Sequence, residues 1–328
     1  LNVCQGIRRH LGEAKIIFVG PHVTVLPEQT LRSSEAVWGV ARGEFEYTIL
    51  ELAKAIERGD GYENILGLSW RNNGKVVHNP DRPLLENLDQ IPFVTKIYKE
   101  HLDTSQYYLS FALHPYVSIY SSRGCPSRCT FCLWPQTISG HKPRMRTVEN
   151  VVAEMKYISQ ELPETKEIFF DDDTFTVNRQ RILKICDLIK SQGIDITWSA
   201  NARANLDFEI LRTMKQAGAR LLVVGYESGN QHILNNIKKG VSLSQMEAFT
   251  RNARRAGVMI HGTFIIGLPG ETRETIKNTI QFARKLGLDS AQFSIATPFP
   301  GTEFYDWCHD NGFLKKENFD AWLDDSGY

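Results

Sequence analysis

Apolar positions along this chain follow two periods, and the switch between them marks its elements. KIIFVG (15–20) is a short β-rich run that ends in Gly-Pro and reads as a buried strand. AVWGVARGEFE (36–46) suggests a second strand followed by a turn, and EYTILELAKAIERGDG (46–61) an amphipathic helix ending at Gly59 or Gly61. Residues 1–65 therefore read as half of a parallel α/β domain. GLSWRNNGKVVHNP (67–80) predicts a hairpin turning at Asn72-Asn73-Gly74, and DRPLLENLDQIPF (81–93), with Pro83 and Pro92, an extended linker. Residues 66–113 are assigned to hairpin and linker.

From residue 116 strands and helices alternate. Strands are expected at 116–122, 167–172, 196–202, 220–228, 259–267 and 290–297. Helices are expected at 147–161, 179–192, 207–217, 230–237 with 243–256, and 272–286. In 179–192 the residues Ile182, Leu183, Ile185, Cys186 and Ile189 share one helical face, which makes Cys186 a core residue. Thr147 is the expected N-cap of the first helix, and Gly218 and Gly257 are expected to close two others. Six strands with intervening helices predict a parallel sheet, closed or partly closed like a barrel, over residues 114–310. Residues 311–328 would begin a C-terminal extension.

Composition narrows the class without naming a function. The 328 residues carry 38 Lys and Arg against 38 Asp and Glu, so the formal net charge is zero. That argues against a general binder of nucleic acid. No apolar run approaches the ~20 residues that span a bilayer. Six scattered cysteines do not form a secreted disulfide framework, and a reducing cytoplasm suits them. The chain opens at Leu1 in what reads as mid-helix, so its native start is expected upstream.

The candidate chemistry lies in RGCPSRCTFCLWPQTISGHKPRMR (123–146), where Cys125, Cys129 and Cys132 are spaced CxxxCxxC just after the first barrel strand. Barrel folds collect their chemistry at the C-terminal ends of strands. Thiolates bind zinc or iron–sulfur clusters. Zinc would draw a fourth ligand, with His141 the candidate, and would make this a zinc-stabilised binding module. A four-iron cluster normally takes four cysteines, so three leave one iron open to a cofactor or substrate. A fully ligated cluster used only for electron transfer is a third reading. The run HKPRMR reads as a solvated basic face, as a segment ordering the loop, or as a contact for an anionic substrate group.

The spacing, with Phe131 just before the last cysteine, resembles the cluster motif of the radical S-adenosylmethionine (SAM) superfamily. Further stretches resemble that family in order. They are FFDDDTF (169–175), SANARAN (199–205), GYESGN (225–230), FIIGLPGET (264–272) and TPFPGTEFYDW (297–307). The resemblance implies a partial (β/α)6 TIM-like barrel with a 4Fe–4S cluster on Cys125, Cys129 and Cys132. It implies SAM contacts at Phe131, Asp172, Asp173, Arg203, Glu227, Ser228, Ile265 and Gly267. VGPHVTVLPEQTL (19–31) and ARGEFEYTILELAKAI (41–56) resemble the second half of the Rossmann-like, cobalamin-binding domain of one branch. Gly20, Pro21, His22, Gly43 and Glu44 are the implied cobalamin-side residues; a lone His22 lacks the partners of a metal site and reads as ordering its turn.

The implied activity is reductive cleavage of SAM to a 5′-deoxyadenosyl radical that attacks an unactivated C–H bond. An external one-electron donor of flavodoxin or ferredoxin type would supply the electron. CLWPQTISGH (132–141) with ARGEFEYT (41–48) is similar to the radical SAM proteins of hopanoid biosynthesis, which makes a hopanoid polyol lipid the expected substrate. A lipid substrate would add peripheral membrane association to a cytoplasmic enzyme. The alternative is cobalamin-dependent methyl transfer to carbon. Related proteins continue further, so a substrate-binding tail is expected beyond residue 328.

Overall fold

The computed structural model describes residues 2–314. Most of the expected C-terminal extension lies outside the described residues. The chain divides into two compact units, one of residues 1–84, 130–139 and 297–328, the other of residues 85–129 and 140–296.

In the first unit helix α1 (Asn2–His10) precedes strand β1 (Ile16–Val19), short helices α2 (Pro21–Val25) and α3 (Pro27–Ser33), β2 (Val37–Ala41) and α4 (Glu46–Arg58). Strands β1 and β2 pair in parallel. Gly59 takes a left-handed conformation, φ 73°, and ends α4 as its composition predicts. The hairpin turns at Asn73 and Gly74, φ 48° and 80°. Its strands β3 (Leu68–Asn72) and β4 (Lys75–His78) do not stand apart as a linker. They extend the sheet antiparallel to β2, giving the order β1-β2-β3-β4. Apolar groups cover both faces of this sheet. Trp38, Tyr62 and Trp70 pack edge and face with Leu52 and Leu68 on one side, and Val23, Leu31, Val37 and Val40 pack together on the other.

The second unit opens with α5 (Val94–His101), a helix inside the stretch read as linker. Strand β5 (Tyr116–Ile119) follows. A two-residue strand β6 (Ser122–Arg123) then pairs antiparallel with β7 (Arg144–Met145). After these come α6 (Val148–Glu161), β8 (Glu167–Phe170), α7 (Arg179–Ser191), β9 (Trp198–Ala202), α8 (Phe208–Gln216) and β10 (Ala219–Glu227). The unit continues through α9 (Gln231–Asn236), α10 (Leu243–Ala256), β11 (Met259–Ile266), α11 (Arg273–Leu286) and β12 (Ser290–Ile295). Helix α12 (Glu303–Asp310) belongs to the first unit.

The six long strands form one parallel sheet, β12-β11-β10-β9-β8-β5. Its edges β5 and β12 do not pair, so it is a partial barrel of the expected six βα units. Local chemistry sets the helix ends. Thr147 caps α6 through the Asn150 amide, Ser242 and Gln245 form a capping box on α10, and Gly257 closes α10 at φ 73°. The helix-facing core holds Phe170, stacked on Phe175 at 4.6 Å, with Trp198 edge-on to Phe170 at 5.6 Å. Cys186 lies in this core, where burial pushes its thiol up to about 12. No helix among the described residues is long and apolar enough to cross a membrane.

Candidate active site

The cysteine loop leaves the sheet after β5 and is pinched at its base by the β6–β7 pair. Gly124 sits there at φ 88°, and a Cβ on it would meet the Lys142 carbonyl oxygen at 2.5 Å. Only glycine fits this crossing. The Cys125 amide donates to the Gly140 carbonyl at 3.2 Å, and His141 Nδ1 lies 3.1 Å from the Cys125 carbonyl. His141 thus engages the loop backbone through this nitrogen. Among the described residues no three His, Cys, Asp or Glu side chains converge around a single-ion site, the three loop cysteines included.

The basic run HKPRMR is not a solvated face throughout. Arg144 and Arg146 are buried. Arg144 donates to the Leu85 carbonyl at 2.7 Å. Arg146 donates to the Tyr120 carbonyl at 2.8 Å and to Glu154 at 2.5 Å. These two arginines order the base of the loop.

Cys125 and Cys129 are buried, each 7% exposed. Cys125 Sγ lies 3.5 Å from the Thr174 hydroxyl, and Cys129 Sγ lies 4.0 Å from the Lys238 carbonyl. Cys132 follows three residues along the chain and, like Phe131, is half-buried.

The acidic turn after β8 divides its work among three carboxylates. Asp172 is wholly buried. Its oxygens accept from the Ser121 amide and from the Ser121 and Ser122 hydroxyls, each at 2.6 Å. Burial raises its pKa, against the pull of these donors and of Arg181. Arg181 donates to the Ser121 and Arg146 carbonyls at 3.0 and 3.1 Å. Asp172, expected as a SAM contact, spends its oxygens on Ser121 and Ser122, tying β8 to the entry of the cysteine loop. Asp173 is half-buried and accepts from the Gly124 amide at 2.7 Å.

Arg203 and Glu227 come to the same place. Arg203, just past β9, donates to Ser127 Oγ at 2.5 Å and also to the Lys239 carbonyl. Glu227 ends β10 at a register shift, with φ 62°. Such bulges re-aim side chains beside active sites. Its carboxylate accepts from Lys239 Nζ at 2.7 Å, both side chains being under 10% exposed. Gly225 leaves the room, since a Cβ there would stand 2.2 Å from Glu227 Oε1. Lys238 and Lys239 carried no signal in the sequence, because a KKG turn after a helix reads as surface.

Ser228, expected beside Glu227 at the ribose, is wholly buried. Its hydroxyl lies 3.2 Å from Thr279 Oγ1 and accepts from the Asn230 amide, which seats α11 against the end of β10. Ile265 is half-buried on β11, and Gly267 is exposed at φ 98° with its amide held by Glu271 at 2.5 Å.

In the first unit Gly20, φ 111°, caps α2, and Pro21 opens that helix. Thr24 bridges the two expected turns. Its hydroxyl donates to the Gly20 carbonyl at 2.8 Å and accepts from the Gly43 amide at 3.0 Å. Both turns thus lie together at the carboxyl ends of the parallel pair β1 and β2, where open α/β sheets bind ligands. His22 is exposed and Glu44 buried.

Comparison with known proteins agrees with this fold. The radical SAM superfamily model matches residues 119–283. The chain is 39% identical over 305 residues to an uncharacterized methyltransferase of Pyrococcus horikoshii, covering 93% of this chain and 65% of that protein. It is 29% identical to the cytidylyl-2-hydroxyethylphosphonate methyltransferase of Streptomyces wedmorensis, covering 93% and 63%. The chain thus spans just under two thirds of the length of these relatives. Among solved structures, the radical SAM methyltransferase TsrM of Kitasatospora setae with cobalamin and a [4Fe-4S] cluster bound superposes with a TM-score of 0.76 at 20% identity, covering 94% of this chain and 60% of that one. The cobalamin-dependent radical enzyme OxsB gives 0.67 at 20% identity, covering 96% and 45%. At this identity the likeness establishes the fold. From the family match and the 39% identical relative, the chain belongs to the radical SAM superfamily.

Proposed function

We propose that this chain is the core of a cobalamin-dependent radical SAM methyltransferase. The observation that carries the reading is the seat of Cys125 and Cys129, two of three cysteines spaced CxxxCxxC, beside Thr174 and Lys238 in the unit whose six-stranded parallel sheet also holds Arg203 and the Glu227–Lys239 pair. Methyl transfer is preferred because two relatives at 39% and 29% identity are named for it. The hopanoid expectation gains no support from these relatives and gives way to methyl transfer.

The residues fit the implied groups chemically. Cys125, Cys129 and Cys132 are soft donors for three irons of a 4Fe–4S cluster, leaving one iron for SAM. Asp173 and Arg203 suit the ammonium and carboxylate of its methionine part, Glu227 the ribose hydroxyls, and Ile265 with Gly267 the adenine. The paired turns at Gly20–His22 and Gly43–Glu44 offer a cobalamin-facing edge. When bound, these groups supply reductive cleavage of the SAM sulfonium and a methyl carrier for transfer to carbon, with electrons from an external one-electron donor.

The chain's own part is placement and exclusion of water. Lys239 orients the Glu227 carboxylate through its 2.7 Å contact. Asp173 fixes the amide at the loop's first bend. Phe111 packs on Phe169 and His261 at 5.4 and 5.0 Å, and Arg220 anchors its carbonyl while ion-pairing with Glu167 at 2.9 Å. These contacts close the sheet's inner face at the end remote from the cysteine loop.

The test is anaerobic reconstitution with iron and sulfide, with and without hydroxocobalamin. Cobalamin absorbance retained through gel filtration, with S-adenosylhomocysteine formed only in its presence, is the expected result. A cluster-loaded protein that binds no cobalamin and cleaves SAM to 5′-deoxyadenosine alone would remove the methyltransferase reading.

A further inference from the structure

Tyr120, Asp171 and Asn201 form a polar group that the reading above does not use. Asp171 Oδ2 accepts from the Tyr120 hydroxyl at 3.4 Å, and Oδ1 from Asn201 Nδ2 at 3.2 Å. Strand register places them in one row. Ile119 pairs with Phe170, so Tyr120 and Asp171 lie one residue beyond; Asn201 pairs with Val223, and Val223 with His261. Tyr226 on β10 bonds Thr250 of α10 at 2.7 Å, so its side of the strand faces the helices. Val223 and Glu227 occupy the opposite side, and the row of Asp171, Asn201 and His261 lies with them on the inner face. Phe111 floors that face. His261, only 7% exposed, has no hydrogen-bond partner of normal geometry on Nε2, although Gln292 beside it interacts with the ring.

We propose that Asp171, with Tyr120 and Asn201, is a substrate-recognition subsite for a cationic nitrogen, an ammonium or amidinium group, on the organic substrate. The proposal rests on the reading that this inner face receives the substrate of a radical SAM enzyme.

Three observations favour a cation. Asp171 is a half-buried carboxylate with no lysine or arginine paired to it among the described residues, and Asp172 and Asp173 add negative charge. Tyr120 bonds it directly, and the Asp171 charge also adds to burial in raising the pKa values of Tyr98 and Tyr116. Beside β5, Tyr98, Tyr107 and Tyr116 line a cavity of about 120 Å³ with Leu102, Thr104, Val117 and Ser118. Aromatic faces beside a carboxylate attract organic cations. Burial raises the Asp171 pKa to about 6, so the carboxylate is the main form at neutral pH and an adjacent cation would favour it further.

The test uses the full chain and three probes with one shape and different charge: benzylammonium, benzyl alcohol and benzoate. Calorimetry should detect benzylammonium in preference to the other two, and Asp171→Asn should weaken it about tenfold or more. Tyr120→Phe should weaken it less. In the wild type the affinity should rise from pH 5 to pH 7 with a single ionisation. The groups facing Asp171 are Tyr98, Tyr116, Tyr120, Asn201, Asp172 and Asp173, with Arg123 acting on Tyr120. The same rise should persist in His261→Gln. Equal affinity for the three probes, a flat pH profile, unchanged binding in a folded Asp171→Asn protein, or no binding of benzylammonium each overturns the subsite. SAM cleavage plays no part in this assay, so loss of the methyltransferase reading and loss of the subsite are told apart.

Discussion

Lys239 Nζ donates to Glu227 Oε1 at 2.7 Å, inside the second unit, from a turn twelve residues further along the chain. Neither side chain retains more than a tenth of its exposure. Removing one partner of such a pair leaves a buried charge and costs ~3–5 kcal/mol. Lys239→Met should therefore lower the denaturation midpoint strongly, and Glu227→Gln in the same chain should recover part of the loss. Chemical denaturation of the wild type and the two variants measures it; a single Lys239→Met change as stable as wild type would show the pair to be unimportant.

The contact between the Gly124 amide and Asp173 makes a second expectation. A side chain at residue 124 must take φ 88° and push against the Lys142 carbonyl. Strain of this kind costs ~1–3 kcal/mol. Gly124→Ala should reduce the iron bound after reconstitution more than it reduces the melting temperature, because the strain falls on the loop. Iron analysis and thermal unfolding on the same samples decide it.

Cys129→Ser should abolish most iron binding with little change in far-ultraviolet circular dichroism. The change is nearly isosteric, and among the described residues the thiol lies 4.0 Å from the Lys238 carbonyl. A variant that keeps its full iron complement would sink the three-cysteine assignment.

Stability should also depend on Asp171. Its pKa is raised to about 6 in the folded chain, mainly by burial. The folded state then holds a proton that the unfolded state has lost between roughly pH 4 and pH 6. Stability therefore falls as pH rises through that window. Two pKa units correspond to ~3 kcal/mol, and the effect should be smaller because the carboxyl still meets water. Asp171→Asn, permanently neutral, should flatten the decline. Urea midpoints at pH 4.5 and 6.5 for both proteins provide the comparison.

Much of the second unit was legible in the residues. Each predicted strand between 116 and 297 exists, and all but the largely exposed β12 read as compact apolar runs bounded by turn residues because they are buried. The caps at Thr147 and Gly257 followed from local backbone chemistry. Helix α5 escaped notice because VTKIYKEH offers barely two turns and follows Pro92. The hairpin at 68–78 was recognisable as a hairpin, but its edge-to-edge pairing with β2 is a non-local contact that no local pattern records.

The sequence by itself determined the alternation of strands and helices, the family, and the three-cysteine loop, since each depends on residue type at short spacing. Tertiary structure alone decided which carboxylate does what. Asp171, Asp172 and Asp173 are chemically identical and adjacent. Strand alternation and the register with β5 and β9 turn one toward the inner face, bury one under two serines, and aim one at the Gly124 amide. The same long-range packing brought Lys239 to Glu227 and folded Ser228 away against Thr279.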